Sequence, residues 1–260
     1  MTDPDFWSRQ KAIITAGASG IGLKIASAMH AAGAKVWICD IAERPLAEAA
    51  AALPGLGTMV CDVADPAACN DFVARATEAM GGLDILVNNA GIAGPAAAVQ
   101  DISTADWTRC FEVNVNGQFF MARAAIPHLK AAKGGSIVCM ASVAGKYAFP
   151  LRSPYAASKA AVISLARALS VELGPDQIRV NAIAPGVVAG DRIRRVFTDR
   201  AATRGISYEE MEAIALRAVS MKTMVEPEEI AGLVMFLCAP SGRPISGQVM
   251  SICGGLEYTE

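Results

Sequence analysis

The stretch SPYAASKAAVISLARALSVELG, from Ser153 to Gly174, carries a phenol and an ammonium four residues apart, Tyr155 and Lys159. In a helix that spacing stacks the two side chains on one face, one turn apart. A phenol titrates near ~10 in water, too high for a base at neutral pH. A cation within reach stabilises the phenolate and brings that value down. Such a pair suits oxidation of an alcohol, where a base takes the hydroxyl proton while hydride leaves the same carbon. A base tuned to the working pH contributes roughly 10²–10⁴-fold. Ser142, upstream of the pair, offers a hydroxyl that could hold the substrate oxygen. A lone Tyr-x-x-x-Lys is common by chance, so the rest of the chain must supply a hydride acceptor and the scaffold that aims it.

The acceptor's signature lies near the N-terminus. Strand Lys11–Ala16 runs into TAGASGIG (Thr15–Gly22) and then an Ala-rich helix. Glycines at a strand-to-helix turn let the backbone approach a pyrophosphate, and the helix end offers free N–H groups and a positive dipole. Gly17, Ser19, Gly20, Ile21 and Gly22 are the candidate contacts. Asp40 closes the second strand, where a carboxylate accepts both ribose hydroxyls of an adenosine and repels a 2′-phosphate. No Lys or Arg lies within residues 16–22, Ile41 follows Asp40 directly, and the nearest base is Arg44. NAD is expected over NADP. Asp40 could also cap the following turn. Asp62-Val63 ends the third strand; an acid there accepts from an adenine amino group or caps the next helix. NNAG (Asn88–Gly91) ends the fourth strand. Its amides could knit strand ends together or, through Asn89, Ala90 and Gly91, touch the ribose; for Asn88 bracing is an equal competitor.

These residues need a scaffold that brings strand ends to one edge. Candidate strands are Lys11–Ala16, Lys35–Asp40, Gly57–Asp62, Leu83–Asn88, Gly135–Ala141, Ile178–Ala184 and Gln248–Ile252. Most are unbroken apolar runs, the pattern of parallel strands buried on both faces. Helix starts punctuate them: Asp65-Pro66, Ser103–Asp106, Ser207–Glu210, Glu226-Pro227, and Ser153-Pro154, which opens a helix at about Tyr155. Repeated β-α units predict an α/β, doubly wound parallel sheet in one domain spanning 1–260, with ligands beyond the carboxyl ends of the strands. Pro185–Val225 is far longer than a usual connection. It reads as two short helices, Asp191–Thr203 and Tyr208–Val219, forming a lid over the site, a surface excursion or an oligomer contact.

Composition narrows the class. The chain has 260 residues, a formal net charge of −2 and 53% hydrophobic residues. Near-neutral charge argues against a nucleic-acid partner. The longest apolar runs, such as Ala231–Ala239, fall short of the roughly 20 residues of a membrane span, and the first eleven residues hold no apolar signal stretch. Seven scattered cysteines, at 39, 61, 69, 110, 139, 238 and 253, show no metal-ligand spacing. They suit buried, reduced thiols of a cytoplasmic protein, with a small molecule as partner and no membrane.

In order, TAGASGIG, Asp40, Asp62-Val63, NNAG, Asn114 in VNVNG, Ser142 in MASVAG, YAASK and APG (Ala184–Gly186) make the sequence resemble the short-chain dehydrogenase/reductase family from about Lys11 to Gly255. The resemblance implies a Rossmann fold of seven parallel strands, a nicotinamide cofactor, and hydride transfer at a carbon bearing oxygen. It assigns catalysis to Ser142, Tyr155 and Lys159, has Lys159 also bond the nicotinamide ribose, and has Asn114 hold a water that links the lysine to solvent. Pro185, Gly186 and Val188 would lie by the nicotinamide. Homotetramers, or dimers, are the family habit, built through helices such as those around residues 114–126 and after Tyr155, and near the C-terminal run Ser246–Glu260. Two departures stand out: Ala16 where the family has Gly, and Gly190 where relatives carry Thr. Arg152 sits where relatives that oxidise 3-hydroxybutyrate hold the substrate carboxylate, although Ala144 replaces their polar residue after the serine. The lid adds Arg192, Arg194, Arg195, Arg200 and Arg204, which also suit a plain solvated face. The expectation is an NAD-dependent dehydrogenase of a small hydroxy compound, with a hydroxy acid or acidic sugar derivative as one candidate and neutral polyols or sugars as others. A 3-oxoacyl-thioester reductase using NADPH and a catalytically silent nicotinamide sensor are the alternatives.

Overall fold

A computed structural model describes residues 5–256 of the chain. Residues 1–4 of the N-terminal stretch and residues 257–260 of the C-terminal run lie outside the described residues.

Seven strands form one parallel sheet: Lys11–Thr15 (β1), Lys35–Asp40 (β2), Gly57–Val60 (β3), Ile85–Asn88 (β4), Gly135–Met140 (β5), Ile178–Pro185 (β6) and Val249–Ile252 (β7). Their order is β3-β2-β1-β4-β5-β6-β7. Helices Gly20–Ala31 (α1), Glu43–Ala52 (α2), Pro66–Met80 (α3), Thr104–Phe111 (α4), Gly117–Ala131 (α5), Ser153–Glu172 (α6), Asp191–Arg204 (α7), Tyr208–Arg217 (α8) and Pro227–Cys238 (α9) fill the connections. The unbroken apolar strands are buried on both faces, as their pattern requires. Ile13, Leu86 and Ile137 pack with Phe72 of α3 and Met121 and Leu129 of α5. Ile14, Ile38, Val87 and Val138 pack against Ile25 and Met29 of α1 and Ile230 and Val234 of α9. Each such side chain contributes roughly 1.5–3 kcal/mol on burial. The strand order reverses between β1 and β4, and a crevice beyond their carboxyl ends is the ligand position of this architecture.

Local signals explain most helix starts. The Asp65 carboxylate accepts from the Ala67 amide, with Pro66 as the first helical residue. Ser207 with Glu210, and Glu226 with Glu229, form reciprocal caps. Ser103 accepts from the Asp106 amide at 3.0 Å, while its hydroxyl donates to the Asp106 carboxylate at 2.7 Å. Ser153 departs from expectation. It is the first residue of α6 instead of its cap, Arg152 occupies the flanking position, and the Ser153 hydroxyl is buried without a partner. The helical run through Asn114 is not one α-helix: a π-helical turn, residues 112–116, joins α4 to α5. The third strand stops at Val60 because Asp62 turns its carboxylate onto the Ala64 amide. α8 ends at Arg217, short of the predicted Val219, which bridges to Leu256 instead.

All seven cysteines are free thiols, six of them buried. Among the described residues no helix is long and apolar enough to cross a membrane, and no group of three His, Cys, Asp or Glu is placed to hold a metal ion.

Candidate active site

The glycine turn and the NNAG loop are knitted together at the reversal of strand order. The buried Thr15 hydroxyl accepts from the amides of Asn89 and Ala90, both at 2.9 Å. The Asn89 side chain donates to the carbonyls of Thr15 and Ala16, both at 3.1 Å. Asn88 is a brace, donating to the Gln118 carbonyl at 3.1 Å. Ala16 adopts φ +48°, a left-handed conformation that costs a residue with a Cβ about 1–2 kcal/mol. The turn is otherwise closed tightly. A Cβ on Gly17 would lie 2.5 Å from Ile38 Cβ, and one on Gly22 would lie 2.2 Å from the Ala16 carbonyl oxygen. Ser19 flanks α1 without capping it through its side chain. The first-turn amides of Gly20, Ile21 and Gly22 therefore lack intrahelical acceptors, and such amides with the dipole's positive end fit a phosphate.

The adenosine-side acids are partly engaged. Asp40 at the end of β2 accepts from the Ala42 amide at 3.2 Å and the Ala18 amide at 3.4 Å, so it caps as well as closes the strand. Among the described residues no basic side chain pairs with it: Arg44 reaches Glu48 instead, and the intervening Ile41 is 67% exposed. Asp62 accepts from the Ala64 amide at 2.9 Å and from the Arg109 guanidinium of α4 at 3.0 Å. Partial burial alone would push its carboxyl up, but that amide and Arg109 outweigh it and hold Asp62 below the usual value. Val63 is buried, and a Cβ on Gly117 would lie 2.8 Å from it.

At the ends of β4 and β5 the other candidates gather. Ser142, extended at φ −168°, leads into a 3₁₀ turn over Val143–Gly145, and its hydroxyl accepts from the Ala144 amide at 3.2 Å. That turn lies directly on α6: a Cβ on Gly145 would be 2.6 Å from the Lys159 carbonyl carbon. Tyr155, in the first turn of α6, is half-buried. Lys159 is 3% exposed, donates to the Met140 carbonyl at 2.8 Å, and places its Nζ 5.8 Å from the Tyr155 ring centre. Burial first, and the charge of Arg192 second, bring its ammonium down to about 7. Asn114 sits in the π-helical turn. Its side chain accepts from the Ile92 amide at 2.7 Å and donates to the Ile92 carbonyl at 3.0 Å and to Ser158 Oγ at 2.9 Å. Gly91 is where these groups meet, since a Cβ there would lie 3.0 Å from Asn114 Oδ1 and 3.1 Å from Lys159 Nζ. No hydrogen bond links Ser142, Tyr155 and Lys159 to one another among the described residues; hydrogen bonds of this kind often tighten only around a bound substrate.

A family profile described as Enoyl-(Acyl carrier protein) reductase matches residues 15–257. Galactitol 2-dehydrogenase of Agrobacterium fabrum is 39% identical over 246 residues, 94% of this chain and 96% of that protein. The chain belongs to the short-chain dehydrogenase/reductase family. Among solved members, NAD⁺-bound xylitol dehydrogenase superposes with a TM-score of 0.92 at 28% identity, covering 96% of this chain and 100% of that one. A variant of actinorhodin polyketide ketoreductase with NADPH gives 0.91 at 30% identity, covering 98% and 99%. This short-chain dehydrogenase/reductase is accordingly an oxidoreductase of hydroxyl or carbonyl substrates with a nicotinamide cofactor.

The segment between β6 and α9 in this family member is pinned at its base. Gly186 donates to the Ile252 carbonyl at 2.9 Å, and a Cβ on it would meet Cys253 Cβ at 2.7 Å. Val188 bridges to Val225. Gly190 takes φ +133° just before α7, so backbone, and no threonine, stands at that place. α7 and α8 share their own apolar cluster of Phe197, Ala201 and Met211. Arg152 is only 9% exposed, and its Nη1 donates to the carbonyls of Ala93 and Gly94 at 3.3 and 3.1 Å. It therefore clamps the loop after β4, whatever else it holds. Ala144 is buried and contributes its amide to Ser142.

Two residues, Arg109 and Gln118, escaped the sequence reading, and a third, Arg192, was read only as one of the basic residues of the 185–225 segment. Arg109 pairs with Asp62 across 47 positions. Gln118 donates to the Met140 carbonyl at 3.2 Å, the acceptor that Lys159 uses. Arg192 brings its guanidinium to 6.0 Å from the Tyr155 ring centre. Nothing local in the sequence pointed to Arg109 or Gln118, whose partners lie 47 and 22 positions away.

Proposed function

We propose that this enzyme transfers hydride between NAD and the carbinol or carbonyl carbon of a small hydroxy compound, hydroxy acids and acidic sugar derivatives included. One observation carries the reading: the buried Lys159 ammonium lies beneath the Tyr155 ring at the strand ends, beside Asn114 and Gly91. The choice of NAD is favoured by Asp40, which closes β2 with no cation paired to it among the described residues. A carboxylate there repels a 2′-phosphate and accepts from ribose hydroxyls.

The cofactor would be held by the free amides of Gly20, Ile21 and Gly22 with the Gly17–Ser19 turn at its phosphates. Asp40 and Ile41 would hold its adenosine ribose, Asp62 and Val63 its adenine, and Asn89, Ala90 and Gly91 the chain between. Pro185, Gly186 and Val188 would flank its nicotinamide. When bound, NAD supplies the hydride acceptor. Tyr155 Oη takes the substrate hydroxyl proton, and Ser142 Oγ holds the substrate oxygen beside it. Lys159 stabilises the Tyr155 phenolate that receives this proton and becomes a neutral phenol after transfer, and it would bond the nicotinamide ribose. Asn114, locked to Ile92 and Ser158, holds the water through which Lys159 Nζ exchanges its proton. The 185–225 segment is the lid that excludes solvent. Exposed Phe119 on α5 and Val171 on α6 favour a homotetramer or dimer, working in the cytoplasm.

A second reading, a 3-oxoacyl-thioester reductase using NADPH, is favoured by the likeness to the NADPH-bound ketoreductase. One absorbance assay of reduced nicotinamide tests both, with NAD or NADP against hydroxy acids, sugars, sugar acids and polyols, and with NADPH against 3-oxoacyl thioesters. Turnover with NAD and a small alcohol is the expected result. Preference for NADPH and a thioester would install the second reading, and binding of either cofactor with no turnover on any substrate would point to the silent sensor.

A further inference from the structure

Among the described residues, four buried side-chain atoms lack a hydrogen-bond partner: Asn88 Oδ1, Gln118 Oε1, Ser136 Oγ and Ser153 Oγ. Gln118 is the one whose other amide atom reaches the acceptor of the Lys159 ammonium. It lies on the buried face of α5 with Met121, Ala122, Ala125 and Leu129, at positions i, i+3, i+4, i+7 and i+11. Such a stripe is the apolar face that a helix turns to a core. Gln118 is its polar member, and it is 2% exposed. Leu or Met would fit the stripe and leave no acceptor unpartnered, whereas a buried oxygen without a donor lowers stability. Packing alone therefore does not call for an amide at this place.

Gln118 Nε2 donates to the Met140 carbonyl at 3.2 Å, the oxygen that also accepts from Lys159 Nζ at 2.8 Å. The reverse orientation of the amide would set two oxygens against each other, so Nε2 is the atom that faces Met140. The turn that carries Gln118 is itself held, because Asn88 Nδ2 donates to the Gln118 carbonyl at 3.1 Å. A neutral donor fixed on α5 and a charged donor on the four-carbon stem of Lys159 thus share one carbonyl at the end of β5. Were Lys159 the sole donor, each departure of Nζ would orphan a buried carbonyl, at the full desolvation cost of that group. With Gln118 in place the carbonyl stays bonded when the ammonium leaves. The other neighbours of Nζ, Gly91 and Asn114, stand at the strand ends where the nicotinamide half of the cofactor would lie.

We propose that Gln118 is a positioning residue for Lys159: it keeps the Met140 carbonyl satisfied while Lys159 Nζ moves onto the ribose next to the nicotinamide, and so favours binding of that half of the cofactor. This rests on the reading of Lys159 as the residue that bonds that ribose.

The test has two arms. Gln118→Met removes both polar atoms at similar length. The first arm is a melting cycle on cofactor-free wild type, Gln118→Met, Lys159→Met and the double variant. Each single variant leaves the Met140 carbonyl one donor, and the double variant leaves it none. The double variant should therefore melt roughly 2–12 °C below the sum of the two single shifts; additive shifts would overturn the sharing. The second arm titrates wild type and Gln118→Met calorimetrically with NAD and with ADP, which lacks the ribose next to the nicotinamide. NAD affinity should fall roughly 5- to 100-fold in the variant, the size of orphaning one buried carbonyl, while ADP affinity stays within twofold. An equal loss for both ligands would make Gln118 merely structural, and no loss for NAD would leave it without a part in positioning; either overturns the proposal. Gln118→Leu, also without a donor, should repeat both results and carries the test if Gln118→Met does not fold. Failure of the wild type to bind NAD would instead strike the dehydrogenase reading, and the melting cycle, run without cofactor, would still decide whether Gln118 takes over the carbonyl.

Discussion

Replacing Lys159 with Met should make the cofactor-free protein more stable, and more so at low pH. An ordinary lysine titrates at 10.5, whereas Lys159 is brought to about 7 by burial and by Arg192. Between those values the unfolded chain holds a proton that the folded chain has lost, so the lysine's contribution to stability rises with pH over that interval. At and below pH 7 its full penalty is felt, at 1.36 kcal/mol per decade or roughly 5 kcal/mol; near pH 9 about 2 kcal/mol remains. Methionine has similar length and no charge, so Lys159→Met removes the penalty. Its cost is the bond to Met140, but that carbonyl still accepts from Gln118 at 3.2 Å and is not orphaned, which limits the loss to about 1 kcal/mol. For a chain of this size each kcal/mol moves the thermal midpoint by roughly 2–4 °C. Scanning calorimetry of both proteins should show the variant melting higher at pH 6, with the gap closing by about 3 kcal/mol, or 5–10 °C, between pH 6 and 9. Cys110 and Cys139 feel the Lys159 charge, but burial pushes both thiols up in the fold; titrations remote from Lys159 are common to the two proteins and cancel. A gap that stays constant across that range would mean that Lys159 titrates as an ordinary lysine, and the electrostatic account of the site would fail. Turnover should be lost at every pH in the variant, and adding Arg192→Ala to both proteins should narrow the gap.

Tyr155→Phe should lower kcat by roughly 10²–10⁴-fold, as loss of a positioned base does, while NAD affinity measured by nicotinamide fluorescence stays within twofold of wild type. Asp40→Ala should move the ratio of NAD to NADP in kcat/KM toward NADP by about tenfold or more, the size of one lost charged contact, and should lower stability by about 1 kcal/mol through loss of the bonds to Ala18 and Ala42; an unchanged ratio would remove Asp40 from cofactor choice. Gly22→Ala puts a methyl 2.2 Å from the Ala16 carbonyl, and the displaced turn should cost about 1–3 kcal/mol in urea unfolding and weaken NAD binding together.

The central strands were legible because burial on both faces writes an apolar run into them; the edge strands β3 and β7, only half-buried, carry shorter runs, and all seven appear in place. Caps at Asp65, Ser207 and Glu226 were legible because the donor and acceptor lie within three residues of each other. Ser153-Pro154 carries the same local signature and fails, since its neighbour Arg152 is held by Ala93 and Gly94, some 58 residues upstream. The same division runs through the site. YAASK places Tyr155 and Lys159 on one helix face by spacing alone, yet the Met140 carbonyl that receives the ammonium, and Gln118 that shares it, are set by where β5 ends against α5. Asp62 reads as an adenine acceptor or a cap, and Arg109, 47 positions away, makes it one end of an ion pair as well. The arginines of the 185–225 segment read equally well as a solvated face or an anion site while the chain is one-dimensional. Folding separates them only by neighbour: Arg192, Arg194, Arg195 and Arg204 are all exposed, and Arg192 is the one that comes within 6.0 Å of the Tyr155 ring centre. Chemistry that depends on one turn of helix is thus written in the sequence, whereas the fields that tune it come from residues whose nearness only the β1–β4 reversal and the β6–α9 excursion create.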